Sequence, residues 1–207
     1  MSGALDSLTV TAKTSLSEIL EAFQSSTKDL LLIDDQTVIT GPHLELLTDY
    51  PRSTSAALVA IVKNGNTLVR QNRVASASSA SHKVTIGNRD FVGALRLSQR
   101  QRESILPAIE NAITFKAKGN ALDLLLVALV RSTIKVDAVD VLSAPWSRSD
   151  DSLERDRVKS EIMGLDFAAL RLKMANRAND GFFSVFFLRN FSKILTWVAV
   201  KIGATPN

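Results

Sequence analysis

Two kinds of apolar pattern alternate along this chain before a third takes over near its end. Residues 29–35 (DLLLIDD) and 54–63 (TSAALVAIVK) are continuous apolar runs bounded by polar residues, the pattern of strands covered on both faces in a parallel sheet. Between them GPHLELLTDYP predicts a turn and a short helix over 42–49, with Pro42 near its N-terminus. A helix over 15–26 precedes the first run: Ser15 or Ser17 can cap it, and Ile19, Leu20 and Phe23 fall on one side. The order strand, helix, strand implies a right-handed crossover and a layered α/β architecture.

Farther along, Asn64-Gly65-Asn66 predicts a hairpin joining the second strand to TLVRQN. Residues 73–88, small and polar, suit an edge ribbon or an exposed loop, and 91–97 (FVGALRL) another strand. A helix over 98–119 follows, with Ser98 as cap, Gln101 three residues on, an Ile105, Ile109, Ile113 stripe, a bend at Pro107 and Gly119 at its end. Residues 121–130 (ALDLLLVALV) form a buried helix, about half the 20 or so residues a bilayer span needs and interrupted by Asp123. IKVDAVDVL, 134–142, is the last strand. The expected division is an α/β body over 1–146, a charged connector helix over 147–181 with acids first and bases last, and a tail over 182–207.

Composition narrows the chemistry. The 207 residues contain no cysteine, which removes disulfides, thiolate zinc sites and a cysteine nucleophile, and only two histidines, His43 and His82, which disfavours a histidine-based metal site. MSGALDSLTVTAKTS lacks the basic leader and apolar core of a secretory signal and predicts no export. Net charge is +4, concentrated late: Arg171, Lys173, Arg177, Arg189, Lys193 and Lys201 face a single acid, Asp180, after position 170. Without a stacking-aromatic motif or helix-turn-helix pattern, nucleic acid is not the expected partner; an anionic membrane surface is.

Asp34 and Asp35 stand at the carboxyl end of a predicted parallel strand, where α/β proteins place metal-binding acids; the alternative is a turn that Asp34 caps. Asp137 and Asp140 offer further carboxylates, though their alternation with Val136, Val139 and Val141 is what a half-exposed strand requires. His43 at a helix start is expected on the surface, and His82 has no evident partner. Ser79 and Ser81 lack a GxSxG setting, and Trp146 is expected to pin the chain as it leaves the body. No GxGxxG or GxxxxGK[ST] occurs among nine scattered glycines, so phosphate cradling by that route has no support.

In the tail, Phe183, Phe187, Phe191, Ile194, Val198 and Ile202 recur at helical spacing on one face, with Arg189 and Lys193 away from its centre and Trp197 between. Such a helix lies in a membrane interface or packs its apolar face on the body. Asp180-Gly181, RNFSKIL (189–195) and GATPN (203–207) resemble, in order and distance, the segment leading into the first transmembrane helix of CDP-alcohol phosphotransferases, most of all the inositol-phosphate-transferring branch. The resemblance spans about the last 30 residues. It implies an amphipathic helix on the cytoplasmic face of the cell membrane, touching it through Phe183, Phe187, Phe191, Ile194, Trp197, Val198, Arg189 and Lys193. It also implies a transmembrane region beyond Asn207 as partner, with a second copy of the chain as another.

That family's DxxDGxxAR...GxxxDxxxD signature, which holds its magnesium or similar divalent cation, is nowhere in this chain, so no catalytic residue and no cofactor are carried over. The body resembles the nucleotidyltransferase-like domain that precedes the membrane unit in some members: LLLIDDQTVITGPHLELL is similar to the stretch presenting a metal-binding acid, and TSAALVAIV to the next core strand. The glycine-rich triphosphate loop and its lysine are missing, and PWSRSD (145–150) lacks the second metal acid after the tryptophan. The resemblance implies a Rossmann-like three-layer α/β domain without transfer activity, followed by a helical extension. Its alternatives are an active CTP-dependent nucleotidyltransferase with Asp34 or Asp35 holding magnesium, and a soluble protein-interaction module.

Overall fold

A computed structural model describes residues 5–142 and 144–176. The chain forms two compact units, Met1–Gly164 and Leu165–Asn207. In the first, β1 (Asp6–Val10), β2 (Leu30–Asp34), β4 (Ser55–Ile61), β5 (Thr67–Arg70), β6 (Arg73–Ala77), β7 (Arg89–Leu97) and β8 (Val136–Asp140) make one sheet in the order β1-β2-β7-β4-β8-β6-β5. A two-stranded ribbon pairs β3 (Thr37–Val38) with β9 (Ser147–Arg148).

Layers follow from alternation along the strands. Leu30 and Leu32 of β2 and Leu95 and Leu97 of β7 join the main core under α1 (Leu16–Ser25), α3 (Arg102–Thr114) and α4 (Ala121–Arg131), whose residues Phe23, Ile109 and Leu125 are fully buried in it. Arg96, between the two leucines of β7, turns to the opposite face, where its Nη atoms donate to the carbonyls of Tyr50, Pro51 and Thr54 just beyond α2 (Gly41–Asp49). The guanidinium is fully buried and meets Asp29 at 3.3 Å, and Asp29 also accepts the Gln99 amide, so one ion pair ties strand ends and loop together. Helices on both faces of a mixed sheet give the expected three layers.

The expected helix at 15–26 is α1, capped by Ser15. Elsewhere the register of the chain departs from expectation. Residues 6–10, given no structure above, form β1, parallel to β2. β2 is not in an all-parallel environment, because its other neighbour, β7, is antiparallel. Nor does Asn64-Gly65-Asn66 close a hairpin: β4 pairs with β7 and β8, and β5 pairs with β6 and, at Thr67, with β7. The two-residue hairpin lies instead at Gln71-Asn72, both at positive φ (49° and 58°), as a type I′ turn requires. Residues 73–77 are therefore a paired strand, with Val74 and Ala77 buried.

Ser98 does not form a box with Gln101. It caps a 3-10 turn, Gln99–Gln101, and Gln101 instead accepts the Ser55 N–H and hydroxyl. The helix that follows ends at Thr114, not Gly119. The charged connector is also divided. α5 (Ser152–Met163), capped by Asp151, stops at Gly164, and α6 (Phe167–Asn176) restarts with Asp166 accepting the amides of Ala168 and Ala169. No helix among the described residues is long and apolar enough to cross a membrane.

Candidate functional site

Asp34 ends β2 with its side chain 1% exposed. Its Oδ1 accepts the Gln36 amide at 3.1 Å, which starts the turn into β3. Its Oδ2 accepts three donors: Asn120 Nδ2 at 2.9 Å, Arg148 Nε at 3.0 Å and Arg148 Nη2 at 2.8 Å. The remaining arm of the guanidinium, Nη1, donates to Asp123 Oδ1 at 2.6 Å. One half-buried cation thus joins two carboxylates that are 89 positions apart in sequence.

Three local structures deliver these groups. Asn120 is the N-cap of α4: its Oδ1 accepts the Leu122 amide, which leaves Nδ2 to reach Asp34. Asp123 lies in the first turn of the same helix, where the helix dipole favours an acid. Arg148 is held by the short ribbon, its Cα in register with Thr37, three residues after Asp34. Gly93 of β7 makes the room. Its φ is +93°, and a Cβ there would lie 2.3 Å from Thr37 Oγ1 and 2.8 Å from Arg148 Cδ. The guanidinium also stands over the Phe91 ring, 5.2 Å from its centroid. Burial works against the charge on Arg148, but the carboxylates of Asp123 and Asp34 outweigh it and hold the guanidinium above its ordinary pKa.

A divalent cation would need free carboxylate oxygens and space for its water ligands. Here Oδ2 of Asp34 is saturated and the space toward Asp123 is filled by the guanidinium, so the set as built fits an arginine rather than hydrated magnesium. Asp35 is exposed and takes no part in the cluster. Among the described residues no group of three or more His, Asp or Glu converges for a metal.

The opposite charge is treated the same way. The loop after β1, residues 11–15 (TAKTS), has no glycine, and the N-terminus of α1 that it opens is occupied from within the chain. Glu18 Oε2 accepts the Ser15 amide at 2.6 Å and the Ser15 hydroxyl at 2.8 Å, and the backbone and side-chain bonds from Ser15 lower the carboxyl's pKa. Ser15 and Glu18 thus form a reciprocal capping box that closes the N-terminus of α1 with groups of the chain itself.

The other sequence candidates do not join this cluster. Asp137 accepts from Thr54 Oγ1 and lies 3.8 Å from Arg73 Nε; Asp140 pairs with Arg89 Nε at 2.7 Å. His43, expected at the surface, is 1% exposed, with Nδ1 at 2.5 Å from Thr40 Oγ1 and Nε2 unpartnered among the described residues. Burial, opposed weakly by the Val141 carbonyl, lowers its pKa to about 4. Ser79 and His82 form a backbone bridge, with Ser81 in the turn between them. Trp146 is partly buried immediately before β9, and Phe183, Phe187, Arg189, Phe191, Lys193, Ile194, Trp197 and Val198 lie outside the described residues.

No family model and no curated protein matches the sequence. Solved structures do resemble the fold. The inositol-1-phosphate CTP transferase from T. maritima aligns with TM-score 0.53 and 12% identity over 72% of this chain and 63% of that one. CTP:phosphocholine cytidylyltransferase from Streptococcus pneumoniae gives 0.52 and 11% over 71% and 63%, and UTP-bound UGPase from Acinetobacter baumannii gives 0.50 and 12% over 80% and 62%. The chain therefore spans less than two thirds of each of these proteins. Its α/β body has the nucleotidyltransferase-like fold.

Proposed function

We propose that this chain is a nucleotidyltransferase-like domain that does not transfer nucleotides, and that it serves as the cytosolic N-terminal part of a membrane CDP-alcohol phosphotransferase. The first half rests on the arginine that bridges Asp34 and Asp123 where the resemblance calls for acids around a cation. Glu18 at the α1 N-terminus supports it from the phosphate side. The second half rests on the tail: its apolar face and its order of DG, RNFSKIL and GATPN. On this reading the parent enzyme moves a phosphoalcohol from a CDP-linked donor in phospholipid synthesis, with magnesium or a similar ion held by acids beyond this chain. The domain positions or regulates that unit at the cytoplasmic membrane face, against anionic lipid, the chain's own transmembrane region and a second copy.

The fold neighbours add one consideration. Cytidylyl transfer to an alcohol phosphate yields a CDP-linked alcohol, the donor class that such a membrane unit consumes, so the two folds belong to consecutive chemical steps. The same kinship favours a second reading, an active CTP-dependent enzyme with Asp34 as metal ligand, which requires Arg148 to withdraw. Incubation with CTP, magnesium and inositol 1-phosphate or phosphocholine separates them. No pyrophosphate release is expected, and release that is lost in Asp34→Asn would establish the second reading instead.

A further inference from the structure

On the face of the body covered by helices, a cavity of about 160 Å³ opens between α3, α4 and the loop that carries Ser79, Ser81 and His82. Its walls are apolar, including Ala108, Ala112, Leu124 and Val127. The volume compares with a cavity of about 150 Å³ that takes up benzene. The loop wall is fixed rather than draped, since Ser79 and His82 exchange backbone hydrogen bonds at 2.7 and 3.2 Å.

The rim is chemically one-sided. Arg131 at the last turn of α4 is exposed and makes no ion pair or side-chain hydrogen bond with any described residue; the His82 ring likewise has no described partner. No Asp or Glu is among the described residues lining the cavity. Phe115, the C-cap of α3, stands at the edge 82% exposed, a large apolar surface left in water. An unpaired guanidinium beside an apolar hollow without acids complements a molecule with an apolar body and an anionic head. It repels a basic one.

We propose that this cavity binds a small amphiphilic anion, with a short acyl chain or aromatic ring inside and its acidic head on Arg131. The site is independent of the Asp34 cluster.

Calorimetric titration of the full chain with sodium octanoate tests this, with octylammonium as a control. Saturable one-to-one binding of octanoate and none of octylammonium is expected. Arg131→Glu, at an exposed position, is expected to weaken octanoate by about tenfold or more, and Ala112→Trp to abolish binding by filling the hollow. Failure of octanoate to saturate, equal binding of octylammonium, octanoate affinity left unchanged by Arg131→Glu, or binding that persists in a folded Ala112→Trp variant overturns the proposal.

Discussion

Arg148 reaches Asp34 through two nitrogens that converge on a single oxygen, Nε at 3.0 Å and Nη2 at 2.8 Å, while its third nitrogen goes to Asp123. The guanidinium thus bridges two acids and is not a fork closed on one. Removing it leaves an Asp34 carboxylate, 1% exposed, with only the Gln36 amide and the Asn120 amide group as donors. Arg148→Met is expected to cost about 3–5 kcal/mol in urea unfolding. Asp34→Asn combined with Arg148→Met is expected to recover most of that loss, because no unpaired buried charge then remains. A single substitution that costs under about 1 kcal/mol would show the pair to be energetically idle.

Gly93 is coupled to the same guanidinium. At φ +93° and with Thr37 Oγ1 2.3 Å from the place of a Cβ, Gly93→Ala is expected to lose about 2 kcal/mol or more through backbone strain and overpacking. Since Arg148 Cδ also lies 2.8 Å from that place, the losses from Gly93→Ala and Arg148→Ala are expected to sum to more than the double variant loses. Additive losses in a double-mutant cycle would separate the two positions.

His43 makes stability depend on acid. Burial lowers its pKa from 6.5 to about 4, so below 6.5 the unfolded chain takes up a proton that the folded chain refuses. Its contribution is complete above pH 6.5 and falls as pH drops toward 4, by about 3 kcal/mol in all. The difference in unfolding free energy between wild type and His43→Leu, followed across this window, is expected to slope in that direction; a flat difference would contradict it.

The tail carries the membrane half of the proposed function. Sedimentation with anionic vesicles is expected to remove the full chain from solution, and Phe187→Glu to weaken that binding by about tenfold, since it places a charge in the apolar stripe. Equal sedimentation of both proteins, or of neither, would refer the stripe to another surface.

The cap at Ser15, the two apolar runs that become β2 and β4, and the buried α4 were legible because local pattern alone determines them. The pairing order was not. β7 enters antiparallel between β2 and β4, and no residue in either strand records which neighbour it will meet. Asn64 has the positive φ its turn signal implies, 60°, yet the chain there leaves β4 without folding back on it.

At the site, Asp34 was visible as an acid at a strand end, whereas Asn120 as the cap of α4, with Asp123 in its first turn, emerged only from the structure. The absent acid after Trp146 was also plain in PWSRSD, but not that Arg148 would cross 114 positions of sequence to Asp34. A charge that satisfies another across such a separation leaves no periodic trace.

The most direct test of the central claim is calorimetric titration of the full chain with CTP in the presence and absence of magnesium. With Arg148 bound to both Asp34 and Asp123 and Glu18 capping α1, no saturable heat is expected in either case. A saturable, magnesium-dependent CTP isotherm that disappears in Asp34→Asn would contradict the claim and return this domain to the active nucleotidyltransferases.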